Sequence, residues 1–150
     1  MYLDLQNILI PSTQDLTQDA ATYESTNVID LGATPRPIGN GETVKVWGQI
    51  LTTFDSAGDG VTVNFQLVDS SAATLDADLT VHDQTGALAQ ATLVQGYQFI
   101  LYAKLGAIAQ RYLGINVVIG VEASTAGSAI AGIVLDTQTA LTGWPANDGF

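Results

Sequence analysis

The chain contains no cysteine, so neither a disulfide framework nor a thiolate metal site can hold it together. It is also poor in positive charge, with 4 Lys and Arg against 15 Asp and Glu and a formal charge of −11. Phosphate backbones are therefore repelled, and the counterion release that drives nucleic-acid binding has no source, so nucleic acid is not an expected partner. Long apolar runs are missing too. No stretch approaches the ~18 residues that a membrane helix needs, and no basic segment precedes the first apolar residues, Arg36 being the first cation. Neither a signal peptide nor a membrane span is expected, and the chain is read as made and kept in a soluble phase.

What is present suits a packed β-structure. Charged residues make up 13% and hydrophobic ones 47%, a balance that argues against disorder. At 150 residues a single domain buries ~70% of its unfolded surface and needs no cross-links.

The stretch Arg111 to Asp136 reads as two strands and a turn, the central pair on which the rest is arranged. Leu113, Ile115, Val117, Ile119 and Val121 share one parity, the period-2 mark of a strand with one buried face. The second arm, from Ala129, is apolar on both parities and is expected to be covered on both sides. Upstream, Val44, Val46, Gly48 and Ile50 define one face of a strand and Lys45, Trp47, Gln49 and Leu51 the other. The turn at 55–60 leads into the clearest alternation, with Val61, Val63, Phe65 and Leu67 inward, and these two strands read as a hairpin. Shorter strands are expected at 27–31, 79–81, 91–94 and 97–103.

About eight short strands separated by turn residues, with no amphipathic helix, predict an all-β antiparallel sandwich, with a jelly roll as the arrangement. Residues 23–136 form that domain. Residues 1–22, broken by Pro11, are read as an extended arm whose first twelve residues can be removed without unfolding the sandwich. Residues 137–150, holding Trp144 and Phe150, are read as a tail.

Candidate chemistry is sparse. His82 is the only histidine; with Asp83, Asp76 and Asp78 nearby it suggests a metal or acid–base site, but a lone imidazole gives no second nitrogen ligand, and a solvated loop is expected. Asp55 and Asp59 offer oxygens for calcium, yet no EF-hand spacing surrounds them, and turn formation accounts for them. No nucleophile elbow occurs. The reading is of a non-enzyme with no catalytic residue, no bound metal and no cofactor. Trp47, on the outward parity of its strand, is either a platform for a sugar or protein partner or is packed beneath a loop. Arg36 and Arg111 are expected to pair with acidic neighbours.

Several fragments taken together carry a family likeness: Leu3-Asp4-x-Gln6, Ser12-x-Gln14 with Thr17, Ser25 to Gly32, Ile38 to Glu42, and Arg111-Tyr112-Leu113. In order and spacing the chain resembles the capsid cement, or decoration, proteins of short-tailed bacteriophages, from its N-terminus to about Asp136. The resemblance implies a jelly-roll virion protein, made in the host cytoplasm. It would bind the outer surface of the capsid as a dimer or trimer, with the major capsid protein as partner, and cement neighbouring capsomers. The contacts to coat or to a neighbouring subunit are expected at Leu3, Asp4, Gln6, Ile8 and Leu9 of the arm, at Trp47, and at Trp144 and Phe150 of the tail. The alternative is a carbohydrate-binding or adhesion module of the same fold.

Overall fold

A computed structural model describes residues 5–32 and 43–134. Ten strands run through them: β1 (Ile8–Ile10), β2 (Thr22–Glu24), β3 (Ile29–Asp30), β4 (Thr43–Asp55), β5 (Thr62–Ser70), β6 (Thr80–Gln84), β7 (Leu88–Ala89), β8 (Gln98–Lys104), β9 (Tyr112–Gly120) and β10 (Ala126–Val134). One sheet has the order β1-β10-β4-β8; the other runs β2-β9-β5-β6, with β3 added to β9 and β7 to β5. All pairings are antiparallel. With the two-residue strands β3 and β7 set aside, the first strand pairs with the last, the second with the next to last, and so on inward: β1 with β10, β2 with β9, β4 with β8, β5 with β6. A long ribbon folded over in this way is a jelly roll, the expected arrangement.

The inward parities read from the sequence form the core. Val46 and Ile50 of β4, Val63, Phe65 and Leu67 of β5, Phe99 and Leu101 of β8, and Leu113, Ile115, Val117 and Ile119 of β9 belong to one buried cluster. Phe65 and Phe99 stack across the two sheets with ring centroids 4.4 Å apart. That stack depends on Gly48, because a Cβ there would lie 2.2 Å from the Phe99 ring.

Four expectations change. The strands on either side of residues 121–125 are not a paired hairpin: β9 sits between β2 and β5, and β10 between β1 and β4 in the opposite sheet. The same holds for β4 and β5, whose connection also crosses the ~10 Å between sheets. Connections of five or six small and polar residues are long enough for that crossing, and period 2 identifies a buried face without saying which sheet carries it. The two crossings are tied together, since the Glu122 carboxylate accepts hydrogen bonds from the Gly58 and Gly60 amides at 3.0 and 3.3 Å.

The N-terminal segment is extended, but it lies on the chain's own domain. Leu9 and Ile10 are 1% and 0% exposed and Leu16 is fully buried, all three within the core. Residues 91–94 form a turn rather than a strand, which nonetheless places Leu93 in the core. The tail 137–150 lies outside the described residues. Among the described residues no helix is long and apolar enough to cross a membrane.

Candidate functional site

Several of the fragments that carried the family likeness meet at one corner of the sandwich. The Gln14 side chain donates to the Glu24 carbonyl at 2.9 Å and accepts from the Thr26 amide and hydroxyl at 2.9 and 3.1 Å. Asn27 reaches back to β1, its side-chain amide donating to the Ile8 carbonyl and its backbone N–H to the Leu9 carbonyl. Ser25 bridges to β9: its hydroxyl accepts from the Ile115 amide and donates to the Asn27 carbonyl.

The corner is closed by a two-pronged ion pair. Arg111 Nε and Nη2 donate to the two Asp30 oxygens at 2.8 and 2.6 Å, and the guanidinium stands 5.0 Å from the centre of the Tyr112 ring. Arg111 thus pairs with an acidic neighbour, as expected; Arg36 lies outside the described residues. Arg111 and then the Gly32 amide lower the Asp30 pKa from 3.8 to about 2, while Asp30 raises that of Arg111. A carboxylate with a depressed pKa stabilises the fold above its unfolded value, and that contribution fades as pH falls from 3.8 toward about 2. Both side chains are nearly half exposed, so the effect on stability is small. The titration itself is the sharper readout. In an NMR titration Asp30 is expected to have its midpoint near pH 2 and to move up toward 3.8 in Arg111→Met; an unmoved midpoint would rule out the pair in solution.

A second region is the outer face of the first sheet. Gly132 of β10 pairs with Ile8 on one side and with Trp47 on the other, and Trp47 pairs in turn with Ile100 of β8. Cross-strand partners point to the same side, so Ile8, Trp47 and Ile100 form one apolar row, each half-buried, with Gly132 as a gap within it. Two of the residues expected at an interface are thereby brought together. Gln6 is exposed in the 3-10 turn just before β1. Leu9, expected at the same interface, faces the other way and is committed to the core. Leu3, Asp4, Trp144 and Phe150 lie outside the described residues.

His82 is not in a solvated loop. It lies in edge strand β6 at a register shift, where Leu67 pairs with Asp83 but Val68 pairs with Val81. The extra residue of such a bulge re-aims its side chain. The imidazole is consequently only 6% exposed and stands 3.4 Å from the fully buried Asp69 carboxylate. Asp69 Oδ2 also accepts from the Ala109 and Gln110 amides at 2.8 and 3.0 Å, which offsets part of the cost of burying it. Asp69 Oδ1 and His82 Nε2 have no hydrogen-bond partner among the described residues.

Asp83 comes next, its Oδ2 accepting from the Tyr102 amide of β8 at 2.9 Å and its Oδ1 from the Gln84 amide. The two sheets are thus pinned at their open side, and a cavity of about 480 Å³ lies there, lined by Thr43, His82, Asp83, Tyr102, Lys104 and Ala107. The sequence held one unused sign of this site: Asp69 continues the inward parity of Val63, Phe65 and Leu67, a position where a carboxylate requires partners.

Asp55 and Asp59 are drawn together by Gln90, whose amide donates to one oxygen of each at 3.0 and 3.2 Å. No group of three or more His, Asp or Glu able to hold a metal occurs among the described residues. Asp55 Oδ1 also accepts from the Ser56 amide at 2.9 Å, within the turn.

The model of one protein family, Bbp16, matches residues 11–133. The chain belongs to the Bbp16 family. The match runs from the residue after β1 to the penultimate residue of β10, so it takes in both sheets, the Asp30–Arg111 corner and the cavity between β6 and β8. No curated protein matches this Bbp16-family chain.

Proposed function

We propose that this Bbp16-family protein is a structural component of a virion that binds the outer surface of a tailed-phage capsid and cements neighbouring capsomers against the pressure of packaged DNA. The observation that carries the reading is the convergence of the resemblance-bearing residues. Gln14 and Ser25 to Asn27 are scattered along the sequence, yet their bonds tie together β1, the end of β2 and β9, and Asp30 pairs with Arg111 where β3 meets β9. The residues on which the resemblance to cement proteins rests thus hold neighbouring strands of the sandwich in place, which supports the reading.

The role is mechanical rather than catalytic. A subunit held by two capsomers must lose a contact before they separate; because it binds the assembled shell in preference to free coat protein, it stabilises the shell by mass action. A dimer or trimer adds the small patches of each copy into one avid attachment. The row of Ile8, Trp47 and Ile100 is the contact we assign to the coat or a neighbouring subunit, since a half-buried tryptophan between aliphatic side chains has the composition of an interface anchor. The strongly acidic chain suits the exterior of the shell better than its DNA-filled interior.

The test is cosedimentation with heads of the parent virus that lack the protein, with the temperature of DNA release followed as protein is added. Saturable binding that raises the release temperature is expected, with at least tenfold weaker binding for Trp47→Ala at unchanged melting temperature. Absence of binding by the folded protein would overturn the proposal.

A further inference from the structure

We propose that the cavity between β6 and β8 is a binding site for one neutral hexose unit of a glycan, stacked on Tyr102 and held at its edge by Asp83, Lys104 and Thr43. This inference does not rest on the capsid reading.

The site is built rather than incidental. The bulge in β6 brings His82 and Asp83, neighbours in sequence, both to the inner side of the sheet. Asp69 backs His82 from the adjacent strand and is itself held by two amides of the segment leading to β9, so the wall beneath the cavity is fixed from two elements. Asp83 is fixed by two backbone amides, one on each of its oxygens. Each oxygen keeps a further lone pair for a ligand hydroxyl. The volume of about 480 Å³ falls within the ~300–1,000 Å³ of ordinary small-molecule sites and exceeds what a single hexose fills.

The lining selects the ligand class. Tyr102 is 44% exposed, one of five large hydrophobic side chains so placed among the described residues, and it is the only aromatic of the five. An aromatic face at the mouth of a polar cavity suits a ligand with one apolar face and a hydroxylated rim, as a hexose has in its C–H face and ring hydroxyls. Asp83 supplies an acceptor, Lys104 a donor and Thr43 both, which matches adjacent hydroxyls that each donate and accept. Lys104 and Asp83 cancel in charge at this rim, and the whole chain at −11 repels polyanions. A neutral sugar is therefore favoured over a uronate or an acidic peptide.

A single ring held by one aromatic contact and a few hydrogen bonds binds with a dissociation constant on the order of 1 mM, so several copies on one surface are needed for tight attachment. The experiment is an NMR titration of the full chain with the methyl glycosides of glucose, galactose and mannose, and in parallel with glucuronate and a glutamate-rich peptide. At least one neutral glycoside is expected to shift the resonances of Thr43, Tyr102 and Lys104 saturably. Tyr102→Ala and Lys104→Met, both exposed positions, are each expected to weaken that binding at least fivefold while leaving the rest of the spectrum in place. The proposal is overturned if no neutral sugar binds saturably, or if both variants bind as well as the parent chain. It is equally overturned if glucuronate or the peptide occupies the cavity more tightly than every neutral glycoside.

Discussion

Gly127→Ala is expected to lower stability by about 4 kcal/mol, from two costs that act at one position. Gly127 has φ of +147°, a region that L side chains rarely enter, and adopting it costs a substituted residue ~1–3 kcal/mol. A Cβ there would also lie 2.4 Å from the fully buried Phe54 ring, and overpacking of a closed core costs a further ~1–3 kcal/mol. The conformation is set by the ladder: the register of β10 against β4 shifts on both sides of Ser128, and Gly127 is the residue of β10 left without a partner there. For a chain of this size the loss corresponds to a fall in melting temperature of roughly 10 °C. A double-mutant cycle with Phe54→Leu separates the two terms, because a smaller side chain relieves the contact and leaves the backbone cost intact. A single Gly127→Ala variant within ~0.5 kcal/mol of the parent in urea unfolding, the range of ordinary surface changes, would contradict the account.

The faces of the strands were legible in the sequence; their neighbours were not. Val63, Phe65 and Leu67, or Leu113, Ile115 and Val117, announce a buried side by parity alone, and each stands in the core. Parity also put Trp47 on the outer side of β4, where it lies. Yet the same parity is satisfied whether β9 and β10 pair with each other or face each other across the core, since both arrangements bury the same side chains. Only the length and rigidity of the connection decide between them, and the sequence of residues 121–125 suits a turn within one sheet as well as a crossing between two. The cavity site was hidden for a related reason. A bulge shifts the period at one residue, so His82 looked like part of a polar loop, although the extra residue is what turns it toward Asp69. The Asp30–Arg111 pair spans 81 positions, and sequence gave only the expectation that each rare cation has an acidic partner.

The N-terminal strand offers the largest effect of all. Ile8, Leu9 and Ile10 are too few to show a period, and with Pro11 directly after them they read as an extended arm whose removal spares the sandwich. The burial of β1 argues for the opposite outcome. Leu9 and Ile10 are fully enclosed, and truncation of a buried aliphatic side chain to alanine costs ~2–5 kcal/mol each. Deleting residues 1–12 removes both, strips β1 from the edge of β10, and takes the Ile8 and Leu9 carbonyls from Asn27. The sum, ~4–10 kcal/mol, is comparable with the ~5–15 kcal/mol by which whole domains are stable. The truncated chain is therefore expected to lose its cooperative thermal transition and its dispersed amide spectrum, and Leu9→Ala alone to melt well below the parent. If the truncated chain instead melts cooperatively within a few degrees of the full one, β1 is dispensable to the core. Its apolar residues would then be free to reach a neighbour, as the sequence alone suggested.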